Sequence, residues 1–262
     1  MSDRLVTLPA ALATALKTDP GRPLITFYDA TTGERIELSV KTFDNWVSKI
    51  ANLLSDDLGL EPGETVAVEL PSHWLAPVTL VGIWAAGLRV GLPGNGWTPP
   101  ASTARVVGPE AVTKVERDPS PLHSQRSGLV IACSLLPLGR PFPKELPVGW
   151  LDFAREVPGQ PDILLTSSAA SSGDMAVETA EQALTHEELS GRGMERSGAL
   201  GLRPGSRLIT DADITQLDGL VDVVAAPLVT GSSVVLVVGA DDATRTRIAE
   251  QEKATCSAWA PR

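Results

Sequence analysis

An α/β fold, with mostly parallel sheets and flanking helices in two lobes, follows from three features of this sequence. Strand-like and helix-like segments alternate regularly from Ile163 to Trp259. A strand, a helix and a second strand succeed one another between Thr65 and Leu92, the order of a parallel crossover. One strongly amphipathic helix stands between an N-terminal hairpin and the first buried strand.

The elements follow in order. Leu5, Leu8, Leu12, Ala15 and Leu16 recur at helical spacing, and Asp19-Pro20-Gly21 ends that helix because proline and glycine do not continue it. Leu24–Tyr28 and Arg35–Val40 are short and rich in β-formers, and the turn at residues 29–33 joins them as a hairpin. Ser39 caps the next helix, whose Val40, Phe43, Trp46, Val47, Ile50, Leu53 and Leu54 make one apolar face and whose end is marked by Gly59. Pro62-Gly63 then turns into a buried strand at Thr65–Leu70, followed by a helix over His73–Ala86 and a strand at Leu88–Leu92. Residues 93–100 are rich in turn formers, and Ala101–Pro119 carries no clear period. Leu129–Leu135 reads as a strand, and the four prolines of Pro137–Pro147 as an extended surface connection between the lobes.

In the second half the expected strands are Ile163–Thr166, Arg207–Thr210, Ser233–Val238 and Thr255–Trp259. The expected helices are Glu187–Leu200, Gln216–Leu228 and Ala243–Glu250. Thr185 and Glu188 have the spacing of a capping box. The expected organisation is one domain over residues 1–262, with lobe 1 at about 1–150 and lobe 2 at about 151–262.

Bulk composition narrows the function. The chain has 262 residues, 43% apolar and 21% charged, which is ordinary for a globular protein. Its 32 acidic against 22 basic residues give a net charge of −10, which repels nucleic-acid phosphates and anionic lipid alike, so neither is an expected partner. No stretch reaches the ~18 consecutive apolar residues of a membrane span, and the N-terminus lacks the basic start and apolar centre of a secretion signal. A cytoplasmic location is the expectation. Cys133 and Cys256 sit in strand-like apolar settings and read as reduced core cysteines.

Three stretches carry a resemblance. The first runs from Ser39-Val40-Lys41-Thr42-Phe43 through Ile50-Ala51-Asn52-Leu53-Leu54 and Gly59-Leu60-Glu61-Pro62-Gly63-Glu64-Thr65-Val66 to Val81-Gly82-Ile83-Trp84-Ala85-Ala86-Gly87. The second is Pro161-Asp162-Ile163-Leu164-Leu165-Thr166-Ser167 with Leu184-Thr185-His186-Glu187-Glu188-Leu189 after it. The third is Ala225-Ala226-Pro227-Leu228-Val229-Thr230-Gly231-Ser232-Ser233-Val234-Val235-Leu236. In this order and spacing they resemble the large N-terminal domain of the adenylate-forming (AMP-binding) superfamily, which includes acyl-CoA synthetases, luciferase-like ligases and peptide-synthetase adenylation domains. The chain also resembles short bacterial members of that superfamily. The likeness covers most of this chain but about the first half of such an enzyme. The adenine-stacking motif, the ribose aspartate and the mobile C-terminal lid with its catalytic lysine are therefore expected to be absent.

The resemblance implies ATP or AMP with Mg²⁺ as ligands and points to a phosphate loop. In the family this loop is Thr-Ser-Gly, small hydroxyl residues, glycine and then Pro-Lys-Gly, with N–H groups, hydroxyls and the lysine meeting phosphate oxygens. The counterpart here places Thr166, Ser167, Ser168, Ser171, Ser172 and Gly173 as candidate nucleotide contacts. No lysine or arginine occurs from Glu156 to Gly191, while Asp162, Asp174, Glu178, Glu181, Glu187 and Glu188 are acidic. Tight ATP binding through this loop alone is not expected, since one lost charge-assisted contact is worth about 1.5–3 kcal/mol. A distant arginine or a bound Mg²⁺ would be needed to compensate.

Thr215 and Gln216 fall where the family carries an aromatic residue and a histidine bordering the acyl pocket. Asp211, Asp213 and Asp218 nearby read as caps and solvated charges, and no metal site is expected. His73, His123 and His186 lack the spacing of a metal or nucleophile set, and no catalytic residue is assigned. Trp97, in the Pro/Gly-rich loop, is the tryptophan expected to be exposed.

Three functions remain. The foremost is a non-catalytic or ligand-sensing homologue of acyl-adenylating enzymes, inactive alone. The others are a ligase completed by a separate lid protein that brings the lysine, and a dimerisation or partner-binding module that covers the Thr255–Trp259 edge.

Overall fold

The computed structural model describes residues 6–94, 96–99, 102–117, 128–165 and 170–259. Two sheets organise it. The smaller has the order β12-β10-β11-β1-β2, with β1 Pro23–Asp29, β2 Glu34–Ser39, β10 Arg207–Thr210, β11 Ser233–Val238 and β12 Cys256–Ala258. The larger has the order β7-β6-β5-β3-β4-β8-β9. Its strands are β3 Thr65–Glu69, β4 Arg89–Gly91, β5 Ser102–Val107, β6 Leu129–Ala132, β7 Trp150–Asp152, β8 Met175–Glu178 and β9 Ala183–Thr185. Pairing is parallel throughout, except for the antiparallel edge pairs β1/β2 and β8/β9. Each sheet draws strands from both sides of residue 150.

Strand periodicity explains the layering. Val234 and Leu236 join the main core while Val235 and Val237 join a separate outer cluster, because successive side chains on a strand point to opposite faces. The same split places Val106 inside and Val107 outside on β5. Between the sheets lie α1 (Leu8–Thr18), α2 (Val40–Asn52) and α3 (Leu75–Ala85). Every residue of α3 is buried, as a helix that is apolar all round requires. α4 (Pro109–Arg117) contributes Val112 to the outer cluster of the larger sheet, and α9 (Asp242–Gln251) contributes Ile248 to that of the smaller. The remaining helices are α5 (Phe153–Glu156), α6 (His186–Leu200), α7 (Leu217–Leu220) and α8 (Ala226–Thr230). A π-helical turn over Val221–Ala225 joins α7 to α8, so the expected helix at 216–228 is one rod with a widened middle. Among the described residues no helix is long and apolar enough to cross a membrane.

Several expectations need correction. The unassigned stretch 101–119 contains β5 and α4; α4 is amphipathic but only nine residues long, too short for its period to stand out in the sequence. Ile163–Leu165, expected as a strand, is irregular and exposed by 65%, 40% and 59%, and Thr166 lies outside the described residues. No strand pairs with this segment. It is strapped instead to α2: the Asn52 amide donates to the carbonyls of Pro161 (3.1 Å) and Ile163 (2.8 Å), and its oxygen accepts from Leu165 N–H (3.0 Å). Lys49 Nζ adds bonds to the carbonyls of Pro158 (2.8 Å) and Gln160 (2.6 Å) and an ion pair with Asp162 (2.8 Å). Trp97 is partly buried in a small bridge with Gly94, not exposed. Cys133 is buried, whereas Cys256 is only partly so; both are free thiols.

Candidate functional site

The counterpart of the phosphate loop lies between the strapped segment and β8. Thr166, Ser167 and Ser168 fall outside the described residues. Ser171 to Asp174 form a turn: Ser171 N–H donates to Asp174 Oδ2 (2.7 Å), and Asp174 N–H to the Ser171 carbonyl (3.1 Å). Beyond the hairpin of β8 and β9, Thr185 caps α6. Its hydroxyl accepts from Glu188 N–H (3.2 Å) and Glu188 Oε2 accepts from Thr185 N–H (2.8 Å), which completes the expected capping box.

The first turn of α6 turns its donors toward the loop and uses them there. His186 N–H bonds the Asp174 carbonyl (3.0 Å) and Glu187 N–H bonds the Ser172 carbonyl (2.8 Å). A helix start binds an anion through its unpaired N–H groups. Here those groups are occupied by the loop's own carbonyls and by the cap. Glu187 and Glu188 add negative charge in the same turn.

The fold also brings a cation that sequence order hides. β4 and β8 pair in parallel, Val90 with Val177, so Arg89 stands at the same end of the sheet as Met175. Arg89 Nε donates to the Gly63 carbonyl at 2.7 Å. Arg89, Gly63, Pro62 and Gly87 face Ala170, Gly173, Asp174 and Met175 across an open cavity of about 490 Å³.

Thr215 and Gln216 lie elsewhere. Thr215 N–H (3.0 Å) and hydroxyl (2.7 Å) both donate to Asp213 Oδ1, and Gln216 N–H donates to the Asp213 carbonyl (3.0 Å), a tight turn leading into α7. They line a pocket of about 240 Å³ with Leu92–Gly94, Thr179–Gln182, Leu217 and Asp218. This pocket sits past the end of β8 while Gly173 sits before its start, a span of about 13 Å at ~3.3 Å per residue. Gly173 and the Thr215–Gln216 pair therefore line separate cavities. Asp211 is paired with Arg245 and Asp213 is the turn's acceptor. Among the described residues no group of three or more potential metal ligands converges.

The turn before α7 requires glycine at 219. A Cβ there would stand 1.9 Å from the Asp213 carbonyl oxygen and 2.4 Å from its carbon, with only backbone available to move. Gly219→Ala is expected to lower stability by about 3 kcal/mol, at the top of the range for overpacking, and to open the Thr215–Gln216 turn. Chemical denaturation together with amide hydrogen exchange at Thr215–Leu220 measures both, and an unchanged midpoint would refute the close approach.

Two histidines not assigned a role from sequence are buried here. His186 has no exposed surface and neither ring nitrogen has a hydrogen-bond partner. It meets Trp84 edge-on at 6.1 Å, and Trp84 Nε1 donates to the Ala176 carbonyl at 2.8 Å. His73 Nδ1 accepts from Leu75 N–H (3.2 Å), so the proton of its neutral ring sits on Nε2, facing Glu34 Oε2 at 3.8 Å. Burial pulls both imidazoles down to about 4, against the pull of Asp29 on His73 and of Asp174 on His186. Burial likewise pushes the Glu34 carboxyl up, with Asp29 adding to it, and pushes the Cys133 thiol up, which leaves that thiol protonated and inert.

Two mostly parallel sheets enclosing a helical layer are the N-terminal fold of adenylate-forming ligases. Solved structures agree. The acyl-CoA synthetase of Brucella canis superposes with a TM-score of 0.80 over 99% of this chain and 48% of its own, at 19% identity. Acetoacetyl-CoA synthetase of Streptomyces lividans gives 0.75 over 97% and 42%, at 18% identity. A benzoate CoA ligase of Burkholderia xenovorans LB400 gives 0.71 over 93% and 48%, at 17% identity. The chain thus spans about half the length of these ligases. No protein-family model matches it. A TIGR03089 family protein of Mycobacterium tuberculosis (strain ATCC 25618 / H37Rv) is 35% identical over 255 residues, covering 95% of this chain and 99% of that relative. The chain belongs to the TIGR03089 family.

Proposed function

We propose that this chain is a non-catalytic, ligand-sensing homologue of acyl-adenylating enzymes, acting in the cytoplasm, whose phosphate-loop counterpart does not hold a nucleoside triphosphate on its own. The observation that carries this reading is the state of the α6 N-terminus, whose first donors are bonded to the carbonyls of Ser172 and Asp174 and to the Thr185 hydroxyl. A triphosphate would have to displace these bonds and then sit beside Asp174, Glu187 and Glu188. The described residues of the loop offer it hydroxyls and no cation. Among the described residues lining that cavity Arg89 is the one cation, and it is opposed there by Asp174. The described residues of this site supply one guanidinium against three carboxylates, a poor match for ATP with Mg²⁺.

Isothermal calorimetry of the purified chain with ATP, AMP and an acyl-adenylate analogue, each with and without Mg²⁺, tests the reading. Binding of the nucleotides weaker than about 1 mM is expected, and a Kd tighter than about 100 μM would overturn it.

A second reading rests on the exposed Ile163–Leu165 run beside the loop, three consecutive apolar side chains of the kind that marks a contact surface. It is a ligase completed in trans, in which a separate chain or a second copy covers this run and supplies the lysine. Sedimentation analysis at several concentrations, alone and with a candidate partner, decides whether such an assembly forms.

A further inference from the structure

The cavity between Arg89 and Asp174 presents opposite charges that are not paired with each other. Arg89 is half-buried and fixed through Nε to the Gly63 carbonyl, and among the described residues its two terminal nitrogens meet no hydrogen-bond or ion-pair partner. Asp174 uses Oδ2 to accept from Ser171 N–H, which holds the carboxylate in place, and among the described residues Oδ1 has no hydrogen-bond partner. Met175 and Pro62 supply apolar wall between them.

This pattern selects its ligand. A phosphate dianion gains the guanidinium but meets the carboxylate, whereas a lone ammonium meets the reverse. A molecule with a carboxylate and an ammonium one carbon apart satisfies both, since guanidinium binds carboxylate in a two-pronged fork and a carboxylate accepts from ammonium. We propose that this cavity is a binding site for a free α-amino acid, with its carboxylate on Arg89, its ammonium on Asp174 and its side chain against Met175 and Pro62. The proposal rests on the ligand-sensing reading above and names the ligand class. The site is open to solvent, so the affinity is modest, on the order of 1 mM.

The probe is L-leucine, titrated by calorimetry or by chemical-shift perturbation into the full chain. Two controls each lack one charge: 4-methylpentanoic acid has no ammonium and 3-methylbutylamine has no carboxylate. Leucine is expected to bind while each control binds at least tenfold more weakly. Arg89→Gln and Asp174→Asn are each expected to weaken leucine at least tenfold. Asp174→Asn keeps the oxygen that accepts from Ser171, so the turn survives, and the melting temperature of both variants shows that the fold does. Absence of leucine binding to the folded chain, or binding unchanged in both variants, overturns the proposal. Parallel titration with ATP separates the two claims: ATP binding with leucine binding intact defeats the nucleotide reading and leaves this site standing.

Discussion

Acidification from about pH 7 to about pH 4.5 is expected to remove roughly 5 kcal/mol of folding stability from this chain, a third or more of the ~5–15 kcal/mol usual for a native protein. The cause is the burial of His73 and His186 as neutral imidazoles, each held at about 4 in the folded chain against 6.5 when exposed. As pH falls, the unfolded chain takes up these protons first. Stability from the pair is complete above 6.5 and is lost as pH drops toward 4, at about 2–3 kcal/mol for each ring. Glu34, raised rather than lowered, contributes with the opposite sign and softens the loss at its lower end. Urea denaturation at the two pH values measures the effect, and equal unfolding free energies at both would refute the burial of neutral rings. His186→Leu separates the contributions. With both nitrogens unpartnered, the imidazole brings desolvation cost and no hydrogen bond, so the leucine variant is expected to be about 1 kcal/mol more stable near neutrality and to lose about half of the acid dependence.

Asn52→Leu is expected to cost about 3 kcal/mol and to release the segment from Pro158 to Leu165. Asn52 is fully buried at the end of α2, and its amide makes three bonds to the backbone of that segment, worth about 1 kcal/mol each. Leucine matches its size but leaves the carbonyls of Pro161 and Ile163 and the Leu165 N–H without these partners. Limited proteolysis is the sharper readout: new cleavage near Ile163–Leu165 under conditions that leave the parent chain intact is expected. Lys49→Met, which removes the second strap, is expected to act in the same direction with a smaller effect, because Lys49 lies closer to solvent. A variant as resistant to protease as the parent would show that the segment is held by something other than Asn52.

The sequence by itself determined the alternation of elements, the hairpin, the amphipathic α2 and the cap of α6. These depend on local physics: turn chemistry at residues 29–33, the apolar spacing from Val40 to Leu54, and the reciprocal bonds of Thr185 and Glu188. It also determined the likeness to adenylate-forming proteins and the lack of cations between Glu156 and Gly191. The tertiary structure decided what no local pattern encodes. Ile163–Leu165 has the composition of a strand but pairs with none of the described strands, and a buried asparagine more than a hundred residues away holds its backbone instead. Arg89 is distant in sequence from Asp174, and strand pairing alone brings the two to one cavity. Gly173 and the Thr215–Gln216 pair, expected as a nucleotide contact and an acyl-pocket position, lie at opposite ends of β8. Local propensity acts over a few residues, whereas a binding site is assembled by sheet register, and register is set only when the whole core packs.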